Sequence, residues 1–298
     1  MENRGEATPG EPESATTYTS SSATAVAGSP DGRSRLYPSR STLIGTTSVC
    51  LFALVWQGLA SSGVIPAVVL PGPLDLVARA IYLAGPSSNP PFQLEGDILL
   101  TLSRLLGGFA VAALFAVPVG IVSAVSRPIA LVLMPFVGVF MAIPALAIVP
   151  ILMLLTGIGN ATDFTVVVVT AFIPIVVYVY DGVRMIDRKY LWTSRSFGAR
   201  SGDVFWHVIV PAAIVPLLAG FRMGMGYAWR SLIATESLTA LTGGLGYTIF
   251  QASQFFDTRT IYLYMVVTAV LGFAIESAFR AAEIRTAVRW GTLASGKR

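Results

Sequence analysis

Two arginines and a glutamate lie within one long apolar run, residues 211–238: Arg222, Arg230 and Glu236. Ionisable groups at membrane depth usually face the protein interior or a water-filled cavity. A guanidinium suits bidentate recognition of carboxylate, sulfonate or nitrate oxygens. On a helix the two arginines are about 12 Å apart along the axis and roughly 80° apart around it, so both can line one groove. The pattern predicts either a positive lining for an anion or an ion pair, such as Arg230 with Glu236, that orders the neighbouring outer loop. Because Glu236 can neutralise only one arginine, we expect Arg222, the deeper of the two, to face the groove.

Three further ionisable residues in apolar runs have simpler interpretations. Arg104 lies near the outer end of its run, where a long side chain can reach the membrane surface. Asp163 begins the run that follows it. Glu276 is four residues before Arg280, a spacing that favours an ion pair on one helix. The positions of these three residues favour structural roles for them.

Prolines interrupt the apolar run 130–155. Pro144 and Pro150, preceded by Pro135, each remove a helical hydrogen bond. Carbonyl groups freed in this way are tolerated at membrane depth where they are buried or line a cavity. The prolines therefore indicate either a path through the membrane or a kink that serves packing, and we favour the path.

The residue types and motifs argue against catalysis, nucleotide binding or metal binding by this chain. The only Gly-Lys pair is Gly296-Lys297, next to the C-terminal Arg298, and this is no phosphate-binding loop. His207 is the only histidine and Cys50 the only cysteine, which excludes an intrachain disulfide, a metal site built on cysteines and a multi-histidine metal site. We expect no catalytic residues, no metal and no cofactor on this chain.

Composition indicates an integral membrane protein. Of the 298 residues 54% are hydrophobic and 12% are charged, with a mean hydropathy of +0.70; soluble domains carry about 25% charged residues. The pI near 9.4 comes from basic residues scattered between apolar runs, which indicates topology signals rather than a nucleic-acid surface. The all-α fold predicted here has six spans: 43–62, 98–125, 130–155, 163–183, 211–238 and 260–279. A short amphipathic helix is expected between the first two, at the outer surface.

Basic residues orient the spans. With the N-terminus in the cytoplasm, fifteen of the twenty Lys and Arg residues lie inside and two lie outside. Residues 1–40 are rich in Ser, Thr, Ala, Gly and Pro, which predicts a disordered cytoplasmic tail. The membrane domain is expected over 41–284, with a second cytoplasmic tail over 285–298.

The polar stretch 185–210 interrupts the apolar runs on the cytoplasmic side. Residues 187–197 can form a helix, and Gly198 suits the left-handed residue that ends it. Ser201 or Asp203 can cap a second short helix, and Pro211 fits the first turn of the next span. The exposed Phe197, Phe205 and Trp206 predict either an anchor for a partner protein or a loop lying on lipid headgroups.

The spacing in this stretch resembles the Glu-Ala-Ala loop of ATP-binding-cassette (ABC) importer permeases, in which a glycine is followed after nine residues by Ile-x-Leu-Pro. Gly198 and "VIVP" ending at Pro211 match that interval, whereas Trp192-Thr193-Ser194 stand in place of Glu-Ala-Ala. The resemblance covers about residues 65–280, and over this range the sequence is similar to the nitrate, sulfonate and taurine branch of these permeases. It is carried by "LPGPLDLVARAI", "TLSRLLGGFAVAALFAVPVGIVSAVSR", "AIPALAIVPILMLLTGIG", "GFRMGMGYAWRSLIATESL" and "GGLGYTIFQASQFFDT".

The resemblance implies a type I importer permease (MetI-like) fold that works by alternating access in a bacterial cell membrane. Residues 185–210, which we call the coupling segment, would contact a separate ABC ATPase that binds ATP; its contact residues would be Gly198, Asp203, Phe205, Trp206 and Pro211. The path would be lined by Pro144, Pro150, Arg222, Trp229, Arg230 and Glu236. Further expected partners are an extracytoplasmic substrate-binding protein and a second permease chain, the same or different. The cargo would be a small solute, and an anion such as sulfonate, taurine, nitrate or bicarbonate is favoured. The alternative is a secondary transporter or channel that works alone.

Overall fold

The computed structural model describes residues 40–85, 93–239 and 243–289, and all regular structure in these ranges is helical. The eleven helices are α1 (Arg40–Ser61), α2 (Pro73–Ala84), α3 (Leu94–Val125), α4 (Arg127–Ala142), α5 (Ala145–Thr156), α6 (Asn160–Arg184), α7 (Arg188–Ser196), α8 (Ser201–Val204), α9 (Val210–Thr239), α10 (Leu245–Gln254) and α11 (Thr258–Arg289). A π-helical turn, Phe205–Ile209, joins α8 to α9. The expected tails, 1–40 and 285–298, lie largely outside the described residues, but 285–289 continue α11.

The chain divides into two units, Met1–Leu51 and Phe52–Arg298. The described part of the first unit is the N-terminal portion of α1. The second unit contains the rest of α1 and all other helices. Within it, Trp56 donates a hydrogen bond to the carbonyl of Pro71 at 3.1 Å and its ring lies beside Tyr262.

Helix α6 lies at the centre of the second unit, between α3 and α9. Small residues let these backbones approach closely, as is usual between membrane helices. A Cβ atom added to Gly108 of α3 would lie 2.7 Å from Cγ1 of Val167, and one added to Gly224 of α9 would lie 2.8 Å from Cγ1 of Ile175. The apolar core of the unit is therefore built on three helices packed backbone to backbone.

Six predicted spans correspond to these helices with one correction. Five helices are long and apolar enough to cross a membrane: α3, α6, the continuous helix that ends in α9, α11, and most of α1. The predicted span 130–155 is instead two helices, α4 and α5, bent by 104° at the break. Pro144 stands at that break and caps α5, while Pro135 and Pro150 remain inside helices. The prolines therefore differ in effect, and of these three only Pro144 lies at a helix boundary.

Candidate functional site

The coupling segment folds as its sequence indicates. Asp187 begins α7 by accepting a hydrogen bond from the backbone N–H of Lys189 at 2.9 Å. Hydrogen bonds from Lys189 hold the pKa of the Asp187 carboxyl below its usual value, and the carboxylate raises the pKa of the Lys189 ammonium. Gly198 ends the helix with φ of +81°, the left-handed conformation expected for this corner.

The second half of the coupling segment leads into the membrane through an irregular turn. Asp203, predicted as a residue that begins the helix, is instead the third residue of α8, and its carboxylate accepts a hydrogen bond from the backbone N–H of Arg200, the residue before the helix, at 3.1 Å. The Phe205–Ile209 turn follows, in which Val210 donates to the carbonyl of Phe205. Pro211 is the second residue of α9, where its lack of an N–H fits the wider turn before it. From Gly202 onward the segment is thus continuous with the membrane helix α9.

Aromatic side chains of the coupling segment are mostly exposed. Phe197 is 88% exposed, Trp206 67% and Trp192 65%. Phe205 differs: it is half-buried and its ring meets that of Trp206 edge-on at a centroid distance of 5.3 Å. The structure therefore leaves Phe197 and Trp206 available as anchors, with Phe205 supporting Trp206 from behind.

Arg222 has carboxylate partners on α11. Its Nη1 lies 2.9 Å from Oε1 of Glu276, and its Nε lies 2.9 Å from Oε2 of Glu283. Glu276 is therefore occupied by Arg222, and the expected Glu276–Arg280 pair is wrong. These two pairs also remove the reason for expecting cargo to neutralise Arg222, and they give this arginine a structural role between α9 and α11.

Arg230 lies on an exposed face of α9. Its Nε donates to the carbonyl of Gly226 at 3.0 Å, and its guanidinium lies over the ring of Tyr227, 5.2 Å from the centroid. Tyr227 is 39% exposed. No carboxylate of the described residues forms an ion pair with Arg230, and the expected pair with Glu236 is wrong. Arg230 and Tyr227 thus present a cation and an aromatic ring together, outside the packed core.

The remaining predicted path residues are divided between buried and exposed positions. Trp229 is 7% exposed and packs on α11, where a Cβ atom added to Gly272 would lie 2.6 Å from its Nε1. Pro144 and Pro150 lie on the exposed surface of the bent pair. Glu236 is fully buried, so it does not line an open path.

Glu236 belongs to an ionic cluster that sequence reasoning missed: Asp97, Thr101, Arg104, Asp163 and Glu236, all buried. Nη1 of Arg104 lies 2.7 Å from Oε1 of Glu236 and 3.3 Å from Oδ2 of Asp163. Thr101 donates to Glu236 at 2.9 Å, and the Arg104 Nε donates to Oδ1 of Asn160 at 3.0 Å. Arg104 is 5% exposed, so the expectation that it reaches the membrane surface is wrong.

The ionic cluster holds the start of α10. Asp97 accepts hydrogen bonds from the backbone N–H of Gly244 at 2.9 Å, the hydroxyl of Thr248 at 2.7 Å and the hydroxyl of Tyr264 at 2.9 Å. Glu236 accepts from the backbone N–H of Gly246 at 3.0 Å. The N–H groups at the start of α10 would otherwise lack acceptors. Carboxylates at a helix N-terminus are also favoured electrostatically, so the cluster fixes the position of α10.

The described residues offer no group of three or more His, Cys, Asp or Glu side chains arranged to hold a metal ion.

Comparison with known proteins agrees with this architecture. Residues 116–287 match the family described as "binding-protein-dependent transport system inner membrane component". A probable ABC transporter permease protein of Brucella melitensis is 36% identical over 230 residues, 77% of this chain and 90% of the relative. The taurine transport system permease protein of Escherichia coli is 30% identical over 242 residues, 81% of this chain and 87% of the relative.

The fold is shared with a solved transporter. The inward-facing methionine ABC transporter matches with a TM-score of 0.56 at 20% identity, over 67% of this chain and 99% of that one. By the family match and the identity to these relatives, this multi-pass membrane protein belongs to the binding-protein-dependent transport system inner membrane component family, the permeases of ABC importers.

Proposed function

We propose that this permease forms the path for a small anion, such as a sulfonate, taurine, nitrate or bicarbonate. The observation that carries the proposal is the exposed Arg230 of α9. Arg230 lies nine residues before the end of α9 at Thr239, and ionisable groups in a membrane helix are retained where another group pairs with them or where they face a cavity, so a group that neutralises Arg230 is favoured there. Cargo is a group of that kind, and the guanidinium fork fits its oxygens.

Arg230 and Tyr227 suit this task better than Arg222 does. Arg222 is already engaged by two carboxylates. The Tyr227 ring holds the guanidinium of Arg230 by a cation–π contact, and the Gly226 carbonyl fixes its Nε. The remaining N–H groups of Arg230 can then bind an oxyanion. The sulfonate group of taurine, which the Escherichia coli relative is named for, is an oxyanion of this class.

The driving force is proposed to come from separate ATPase subunits. Phe197 and Trp206 would bury their exposed rings against an ATPase below the membrane, and closure of the ATPases on ATP would move the Gly198 corner. Because one continuous helix runs from Gly202 through α9, motion of the adjacent Gly198 corner would reach the helix that carries Arg230. The family match supports alternating access driven by ATPase subunits rather than a transporter that works alone.

The remaining partners follow from the same proposal. A second permease chain, identical or related, would complete the path, and an extracytoplasmic binding protein would deliver cargo. Both termini would lie in the cytoplasm of a bacterial cell, consistent with fifteen of twenty basic residues on that side.

Reconstitution of the permease with an ABC ATPase and a binding protein from the same organism tests this proposal. Vesicles should accumulate a radiolabelled sulfonate, nitrate or bicarbonate only when ATP is supplied on the side of the ATPase. Uptake without ATPase subunits would instead show a secondary transporter or channel. Uptake of a cationic solute in place of anions would refute the cargo class.

A further inference from the structure

A cavity of about 1040 Å³ lies beside the coupling segment. Its walls come from the end of α3, the first half of α4, the end of α6, α7 and the turn that leads into α9. We call it the basic cavity because Arg127, Arg184 and Arg195 are among the residues that line it. The lining residues discussed below lie on α4, α6, α7 and the Phe205–Ile209 turn. None of them belongs to the path proposed around Arg230.

Three arginines form the rim of the basic cavity. Arg127 is the first residue of α4, Arg184 the last residue of α6, and Arg195 lies on α7. All three side chains are exposed. The guanidinium of Arg184 is held by the Tyr180 hydroxyl and lies over its ring. Among the described residues that line the cavity none carries a carboxylate. The rim is therefore a cluster of positive charge to which the described lining residues contribute no countercharge.

The deeper wall of the basic cavity is apolar. Leu131, Met134 and Pro135 of α4 line it on one side, with Val183 and Ile209 on the other. Pro135 is eight residues beyond Arg127, which is about 12 Å along α4. The basic cavity therefore has charge at one end and an apolar wall at the other, and is amphipathic.

We propose that the basic cavity binds an anionic phospholipid, with the phosphate between the three arginines and an acyl chain along Leu131 and Met134. Basic pockets between helices at the cytoplasmic face have the right chemistry for such headgroups. Arginine also pairs with phosphate through two parallel hydrogen bonds. A small hydrated anion would need the arginines but would gain nothing from the apolar wall. This inference concerns a lipid of the inner leaflet and does not depend on which cargo the permease carries.

The test measures lipid binding to the purified full-length chain in a mild detergent. Fluorescent phosphatidylglycerol and phosphatidylcholine with identical acyl chains are the probes, and we expect phosphatidylglycerol to bind more tightly. Each Arg→Gln change at the rim should lower its affinity about fivefold, which corresponds to ~1 kcal/mol for a basic residue near an anionic lipid. The triple variant Arg127→Gln, Arg184→Gln and Arg195→Gln should lose about a hundredfold, down to the affinity for phosphatidylcholine.

The matched control removes the same amount of charge at three exposed arginines that do not line the cavity: Arg200→Gln, Arg280→Gln and Arg285→Gln. It should keep the preference for phosphatidylglycerol. A second variant, Leu131→Trp, fills the apolar part without changing the charge and should also weaken binding. This variant keeps the test decisive if the triple variant misfolds.

Four results would overturn the proposal. The first is equal affinity for the two phospholipids. The second is a loss in the control triple as large as in the rim triple. The third is displacement of the lipid by glycerol phosphate at equal concentration, which would show that the headgroup alone is recognised. The fourth is a rim variant that keeps the lipid preference but no longer binds the ATPase, which would assign the arginines to that partner.

Discussion

Replacement of Arg104 by methionine is the most severe single change that the structure predicts. The guanidinium is buried with Glu236 at 2.7 Å and Asp163 at 3.3 Å. Methionine has a similar length but no charge, so both carboxylates would remain inside the protein without their cation. Removing one partner of a buried ion pair costs about 3–5 kcal/mol because the other charge is left uncompensated.

The expected loss of stability is large enough to measure by thermal unfolding. With an unfolding entropy of about 2.1 cal/mol/K per residue, ~1 kcal/mol lowers the midpoint of thermal unfolding of this chain by roughly 1.6 °C, so Arg104→Met should lower it by roughly 5–8 °C. Arg79→Met is the matched control, because Arg79 pairs with Asp257 at 2.7 Å where the two side chains are 25% and 29% exposed. A partly exposed pair contributes about 0–1 kcal/mol, so the control should lose less than ~2 °C.

Thermal unfolding of the purified chains in one detergent, followed by loss of the monodisperse fraction, is the assay. The double variant Arg104→Met and Glu236→Met should lose less than the sum of the two single variants, because the second change removes a charge that the first leaves unpaired. Equal losses for Arg104→Met and Arg79→Met, or strictly additive losses in the double variant, would refute the reasoning about the ionic cluster.

Three further predictions concern coupling and topology. Gly198→Val should cost about 1–2 kcal/mol in the left-handed corner and reduce transport and coupled ATP hydrolysis without preventing membrane insertion; Gly198→Asn, which tolerates that conformation, should restore most activity, and normal transport by the valine variant would exclude the role of the corner. Trp206→Ala should weaken ATPase binding at least about 30-fold if this ring is an interface anchor worth ≥ 2 kcal/mol, and an unchanged dissociation constant in a pull-down titration would remove it from the interface. In a Cys50→Ala background, an impermeant thiol reagent should label Ser196→Cys only from the cytoplasm and Ser253→Cys only from outside; the opposite sidedness would reverse the topology.

Features that depend on neighbouring residues in the sequence could be predicted. The apolar runs gave α1, α3, α6 and α9 to within a few residues, because a bilayer sets the length of a span; α11, however, continues ten residues beyond the predicted end at 279. The Gly198 corner was predictable because it depends on contacts within a few residues.

Pairings across the fold could not be read from the sequence. Arg104 and Glu236 are 132 residues apart, and Arg222 and Glu276 are 54 apart. The periodicity of α9 correctly placed Arg222 and Arg230 on one helix, but it could not show that α11 supplies carboxylates to Arg222 alone. The prolines showed that the 130–155 run was interrupted, but any of the three could have been the point of interruption. Tertiary packing decides that the chain turns at Pro144.

The function of Arg230 is the part of the account that one measurement tests most directly. The assay is ATP-driven uptake of an anion by vesicles that contain the permease, its ATPase and its binding protein, with basal ATP hydrolysis measured in the same vesicles. A hydrogen bond to a charged group contributes about 1.5–3 kcal/mol, so Arg230→Gln should lower uptake roughly 10- to 100-fold while basal hydrolysis is unchanged. Arg222→Gln should instead reduce assembly, because it leaves Glu276 and Glu283 without their cation. Unaltered anion uptake by the Arg230→Gln variant, or an equal fall in uptake and hydrolysis, would contradict the proposed anion path.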